Sequence, residues 1–194
     1  PYFCAIDGDS ILENDGLLKT MKPIIESDGQ IIVTGGSVRI ANGSTISRSK
    51  VEVIGLPRSP VVLMQIVEYF RAFLIGRLAL SHLNILLIVS GAFGVFNKER
   101  VIQAGGYNKN TVGEDMELVV RLHRLLREEK SKQRIEYIPD PVCWTEAPDS
   151  LGVLKSQRIR WQRGLFETLW THRKMMLNPK YGSIGLFSMP YFLF

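Results

Sequence analysis

Short apolar runs of strand length alternate with stretches of helical periodicity along all 194 residues of the chain. That alternation narrows the possible folds more than any other feature, because it is the pattern of an α/β sheet domain. Residues 2–6 read as a strand, 30–40 ("QIIVTGGSVRI") as a second, and 134–140 ("RIEYIPD") as another. The two glycines in "VTGGSV" predict a bulge or a close approach of another backbone. Residues 83–96, "LNILLIVSGAFGVF", are apolar but too short to span a bilayer, and read as a buried strand leading into a glycine-containing turn. Helical periodicity runs over 11–27, with a break expected near Pro23, and over 114–130 and 150–178. In the helix that begins near Ser59, Leu63, Ile66, Val67, Phe70, Phe73 and Leu74 share one face, opposite Gln65, Glu68 and Arg71. Packing of that stripe on a core is the expected use. A polar loop, "ANGSTISRSK", covers 41–50.

Composition of 45% hydrophobic and 22% charged residues argues against disorder. Cys4 and Cys143 lack metal-ligand spacing, fit a reducing compartment and are expected to be small buried hydrophobes. His82, His123 and His172 are likewise isolated from one another and receive surface or core roles. Of the net charge of +5, residues 151–194 contribute seven Lys/Arg against one acid. The basic character is therefore local, and suits phosphate groups or an anionic membrane face. No base-reading motif accompanies it, so nucleic acid is not an expected partner. The chain opens on Pro1 and enters a strand at once, and so is expected to be part of a longer protein. It closes on the uncharged run 184–194, expected to be a docking segment or the start of a membrane helix. A division into 1–150 and a basic, membrane-proximal 151–194 follows.

Four stretches carry chemistry. "DGDS" ends the first strand; Asp7 and Asp9 can serve a turn, or can hold Mg²⁺ or Mn²⁺ together with a phosphate. "SGAFG" offers small residues, Ser90, Gly91 and Ala92, beside which another molecule or a packed helix can approach closely. "GEDMELVVRLHR" places Glu114 and Asp115 at a helix start, where acids are favoured by the helix dipole and where a general base can be held. In "QRIRWQRG", Gln157, Arg160 and Trp161 fall at i, i+3, i+4 on one helical face. A guanidinium binds phosphate oxygens, an amide adds donors and an indole offers a platform for a sugar ring.

In this order and spacing, the four stretches resemble the membrane-bound, processive type of family 2 glycosyltransferase, which includes bacterial cellulose, poly-N-acetylglucosamine and hyaluronan synthases. The resemblance runs from about Tyr2 to Phe194 and implies a GT-A-like, Rossmann-related α/β domain with a mixed sheet and C-terminal interface helices. It implies that Asp7 and Asp9 hold a divalent cation on the diphosphate of a UDP-sugar, and that Asp115 is the base of an inverting transfer. It further implies that Gln157 and Arg160 meet the departing diphosphate, and that Ser90, Gly91, Ala92 and Trp161 receive a polysaccharide or lipid-linked acceptor. The setting implied is the cytoplasmic face of a bacterial inner membrane. Three family features are missing from the sequence: a preceding nucleotide-binding half, an "FxVTxK"-type gating loop, and the polymer-conducting membrane helices. The isolated chain is therefore expected to be inactive or weak. A single-addition lipid glycosyltransferase would share the motifs, and a non-catalytic membrane-surface module is the alternative from another class.

Overall fold

The computed structural model describes residues 1–48 and 50–193. Ser49 of the expected loop and Phe194 of the apolar end lie outside the described residues. Five strands form one mixed sheet in the order β1 (Tyr2–Ile6), β6 (Phe93–Asn97), β3 (Ile31–Ile40), β7 (Arg134–Thr145), β2 (Ile11–Leu12). β3 pairs antiparallel with β6 and parallel with β7. It is the central strand and is buried almost throughout, as its Val/Ile-rich sequence requires. Register shifts at Gly36 and Ser37 mark a bulge. Gly35 allows close approach: a Cβ there would lie 1.9 Å from Cγ1 of Val89.

Helix α1 (Gly16–Glu26) covers β3 and β7, with the Thr34 hydroxyl donating to the Thr20 carbonyl at 2.9 Å. It starts later than 11, because Ile11 and Leu12 pair with β7, and it continues through Pro23 instead of breaking there. That proline removes one intrahelical donor without ending the helix. The polar stretch at 41–50 carries strand β4 (Thr45–Ser47), which pairs with β5 (Lys50–Val53) in a small separate hairpin.

The helical segment that follows is continuous: α2 (Pro60–Tyr69), a π-helical stretch Phe70–Arg77 and α3 (Leu78–His82). Its buried face is rotated from the one expected. Val62, Gln65 and Phe73 are buried, while Val67 is 69% exposed and Phe70 also faces solvent. Gln65 is tolerated inside because its amide donates to the Val61 and Pro148 carbonyls. Cys4 is exposed on β1, against expectation, and Cys143 is buried.

The largest correction concerns residues 83–92. Only Phe93–Asn97 is strand; the apolar run before it is buried chain of irregular shape. Four of its carbonyls are satisfied by side chains from three other elements. Arg127 donates to Asn84 O at 3.3 Å, Ser188 to Ile85 O at 2.7 Å, and His123 Nε2 lies 2.9 Å from Leu86 O; Arg77 donates to Val89 O. Buried backbone needs partners, and here donors on long-range neighbours replace a ladder.

Helix α4 (Lys98–Gln103) precedes α5 (Glu114–Glu128), which is the hub of the packing. Leu118, Val119, Leu122 and Leu126 enter the sheet's core, while Met116 and Val120 join Leu169, Met175, Tyr181, Ile184 and Met189 in a second cluster. Helix α6 (Leu151–Thr171) ends before 178 and gives way to short turns, then to π-helical Ile184–Ser188 and α7 (Met189–Leu193). The described part of the apolar end docks on the domain through Ile184, Ser188 and Met189. Among the described residues, no helix is long and apolar enough to cross a membrane.

Candidate active site

The acidic turn after β1 is a turn in its backbone, with Ser10 N donating to Asp7 O at 3.1 Å. Aspartates in turns commonly bond their own backbone. Here, among the described residues, neither the Asp7 nor the Asp9 carboxylate accepts a hydrogen bond, and both residues are exposed. The turn is fixed from outside: Asp7 N donates to Ala92 O at 3.1 Å, tying it to the "SGA" segment. Within that segment Ala92 N donates to Ser90 Oγ at 3.2 Å.

Gly91 is the meeting point. A Cβ on it would lie 3.0 Å from Asp115 Oδ2 and 4.0 Å from Asp7 Oδ2, so two carboxylates from distant parts of the chain face one glycine. Asp115 sits in the first turn of α5, where its other oxygen accepts from Met116 N at 2.8 Å. The dipole of that helix favours its charge.

The crowding has an electrostatic signature. Burial, then Asp9, Asp115 and Glu114, push the Asp7 carboxyl above the usual range, against the pull of Arg160. Arg160 is thus the cation of α6 whose field reaches the acids. Tyr107 lies within the field of the same acids: burial, with Glu114, Asp115 and Cys4, pushes its phenol up to about 12.

Helix α6 crosses the start of α5 at a glycine pair, Gly113 and Gly164. Glu167 of α6 reinforces the crossing by accepting from Val112 N and the Thr111 hydroxyl, both at 3.0 Å. On the same helix the Arg158 guanidinium donates to Glu68 at 2.6 Å and stacks 4.3 Å from the Trp161 ring centroid. A cation–π contact of this kind orients the indole, which remains 42% exposed. The Gln157 Oε1 atom is buried without a partner among the described residues. Among the described residues, no hydrogen bond or ion pair joins Gln157, Arg160 or Trp161 to Asp7, Asp9 or Asp115. The geometry therefore brings Asp7, Gly91 and Asp115 together, with Asp9 two residues on in the same turn, and α6 crosses the start of α5 at Gly164.

Among the described residues, no three His, Cys, Asp or Glu side chains form a metal cage. Mg²⁺ and Mn²⁺ do not need one, being held by one or two carboxylates plus substrate phosphates. Two uncommitted carboxylates, one destabilised by like charge, fit such an ion. Sequence reasoning overlooked Tyr107, Arg158 and Arg77. Tyr107 stands in an ordinary "GGYN" turn, and nothing in the local sequence sets Arg158 or Arg77 apart from other helical arginines.

The glycosyltransferase-like family 2 model matches residues 4–164. Poly-β-1,6-N-acetyl-D-glucosamine synthase of Staphylococcus aureus (strain COL) is 29% identical over 170 residues, covering 87% of this chain and 36% of the relative. The enzyme of the same name from Staphylococcus epidermidis is 26% identical over the same share of each. The chain thus spans about a third of the length of the curated relatives it matches. A mannosyltransferase from Pyrobaculum calidifontis, solved with GDP-Man and Mn²⁺, superposes with a TM-score of 0.57 at 15% identity, over 99% of this chain and 47% of that one. The mixed sheet flanked by helices, the match over residues 4–164 and this superposition agree, and the chain belongs to the glycosyltransferase-like family 2, with its GT-A-like α/β fold.

Proposed function

We propose that the protein is an inverting, metal-dependent glycosyltransferase that moves a sugar from a UDP-sugar to a growing polysaccharide. The observation that carries this reading is the convergence of Asp7 and Asp115 on Gly91, with Arg160 within electrostatic reach. Asp7 and Asp9 are the ligands we assign to Mg²⁺ or Mn²⁺. When bound, such an ion supplies charge neutralisation to the diphosphate leaving group.

Asp115 takes the proton of the acceptor hydroxyl, and the acceptor's oxygen attacks the anomeric carbon on the face opposite the diphosphate. The bond from that carbon to the β-phosphate oxygen breaks, and its electron pair leaves with UDP. Arg160 and the Gln157 amide meet the charge that develops there. Ser90, Gly91 and Ala92 line the place of the acceptor hydroxyl, and small side chains there let the sugar approach the backbone. Trp161, held by Arg158, supports the acceptor ring. The staphylococcal relatives are named for a polymer, which favours a polysaccharide acceptor over a single lipid addition.

Residues 151–194 form, in this reading, the part that works at a membrane surface, on the cytoplasmic face of a bacterial inner membrane. Exposed Trp170, Phe187 and Tyr191 beside Arg173, Lys174 and Lys180 support that placement. The test is UDP release by the full-length protein in membranes, offered a panel of UDP-sugars. Release should require Mg²⁺ or Mn²⁺, vanish with chelator, and fall by roughly a hundredfold or more in Asp115→Asn. Release that Asp115→Asn leaves unchanged would remove the assigned base.

A further inference from the structure

Arg77 closes the π-helical stretch Phe70–Arg77, and its charge is desolvated enough to be drawn below its ordinary pKa. A cation withdrawn from water is costly unless it is paired and hydrogen-bonded. Yet among the described residues no carboxylate lies within ion-pairing distance of it. Its guanidinium instead lies 3.8 Å from the Phe73 ring centroid and 6.0 Å from that of Tyr137, and donates to the carbonyl of Val89. The hydrogen bond to Val89, the two rings and the field of Asp115 are what hold the charge there, and the bond is the contact that acts on the chain beside Ser90.

The carbonyl it holds is the last before Ser90. Three residues later, Ala92 O is held by Asp7 N, and the Val89 side chain is pinned against Gly35. Ser90–Gly91 is thus a short bridge between two fixed carbonyls, and Gly91 is where Asp7 and Asp115 face each other. We infer that Arg77 is a positioning residue: by gripping Val89 it sets the distance between the Ser90–Ala92 segment and Asp115. The inference rests on the reading of Ser90–Ala92 as acceptor-binding.

The experiment uses the full-length protein as wild type, Arg77→Lys and Arg77→Gln, with two readouts. Hydrogen exchange should rise by about tenfold or more in peptides covering 88–92 of Arg77→Gln, with α5 and α6 peptides unchanged. In kinetics, the acceptor KM should rise by roughly tenfold, while the Kd of UDP with Mn²⁺ stays within about twofold. Lysine, which can still donate one hydrogen bond, should recover part of both losses. Wild-type behaviour of Arg77→Gln in exchange overturns the inference. So does a loss that spreads equally to α5, α6 and nucleotide binding, since that is a general scaffold defect. If the wild type releases no UDP from any donor, the transferase reading fails, and the exchange pattern alone decides the role of Arg77.

Discussion

Gly113 and Gly164 meet backbone to backbone: a Cβ on Gly164 would lie 2.8 Å from both N and Cα of Gly113, and one on Gly113 would lie 2.9 Å from Cα of Gly164. No flexible side chain stands between them to give way. The start of α5, which carries Asp115, and the helix that carries Arg160 are spaced by this contact.

Gly164→Ala should therefore push the two helices apart. Overpacking of this kind costs about 1–3 kcal/mol, which denaturant unfolding would measure. The loss in activity should exceed the loss in stability. A shift of about 1 Å between Asp115 and Arg160 is enough for roughly a hundredfold drop in turnover. Activity within twofold of wild type in a folded Gly164→Ala would show that the crossing does not set the catalytic spacing.

Glu117, two residues beyond Asp115, is buried and accepts from Arg121 at 2.6 Å and from His172 Nε2 at 2.9 Å. Arg121 also donates to the Ala104 and Gly106 carbonyls, each at 2.7 Å. Burial alone would raise the Glu117 carboxyl, but the hydrogen bonds from His172 and Arg121 hold it below the usual range. Glu117→Gln strips the charge from this network and leaves Arg121 without its anion. The expected cost is about 3–5 kcal/mol, read as a lower denaturation midpoint. A change under about 1 kcal/mol would mean that the network stabilises little.

His123 is buried against Leu86 O, and burial draws its imidazole down to about 4. Since Leu86 O can only accept, Nε2 carries the proton. In the unfolded chain the ring takes up its second proton near pH 6.5, and in the folded chain only near 4. Protons therefore favour the unfolded state between those values. Stability contributed here is complete above about pH 6.5 and is lost as pH falls toward 4, by on the order of 3 kcal/mol. Melting temperatures measured across that window should fall steeply in the wild type and less so in His123→Gln. Parallel profiles would place the acid sensitivity elsewhere.

Much of the architecture was legible because local pattern and burial agreed. The strand at 2–6, the near-continuous Val/Ile run of β3 and the helix from Glu114 were all read correctly in type and place. The residues we assign to the site stood out because an acidic turn, a small-residue segment and a Gln-Arg-Trp face are poor choices for a plain core. Residues 83–92 were misread for a definable reason. Their apolar run marks burial, and burial usually means a ladder, but here the backbone partners are Arg77, His123, Arg127 and Ser188, which sequence distance hides. Gln65 misled in the same way, since its polarity pointed outward while two carbonyls waited inside. Arg77 was invisible because a guanidinium packed over an aromatic ring looks, in sequence, like any helical arginine.

The bond from Ser188 to Ile85 closes a loop of 103 residues. Contacts at that separation carry a larger loop-closure entropy than local ones and form later than a helix does. The pairing of β3 with β7 spans comparable separations, Ile31 to Arg134 among them, so the segment bearing Ser90–Ala92 is expected to consolidate with that pairing and after α5, whose hydrogen bonds are local. Pulse-labelled hydrogen exchange during refolding would reveal this as protection of 84–92 delayed behind α5, and protection there as early as in α5 would refute it. The surface we assign to the acceptor would then take shape only as the C-terminal segment docks.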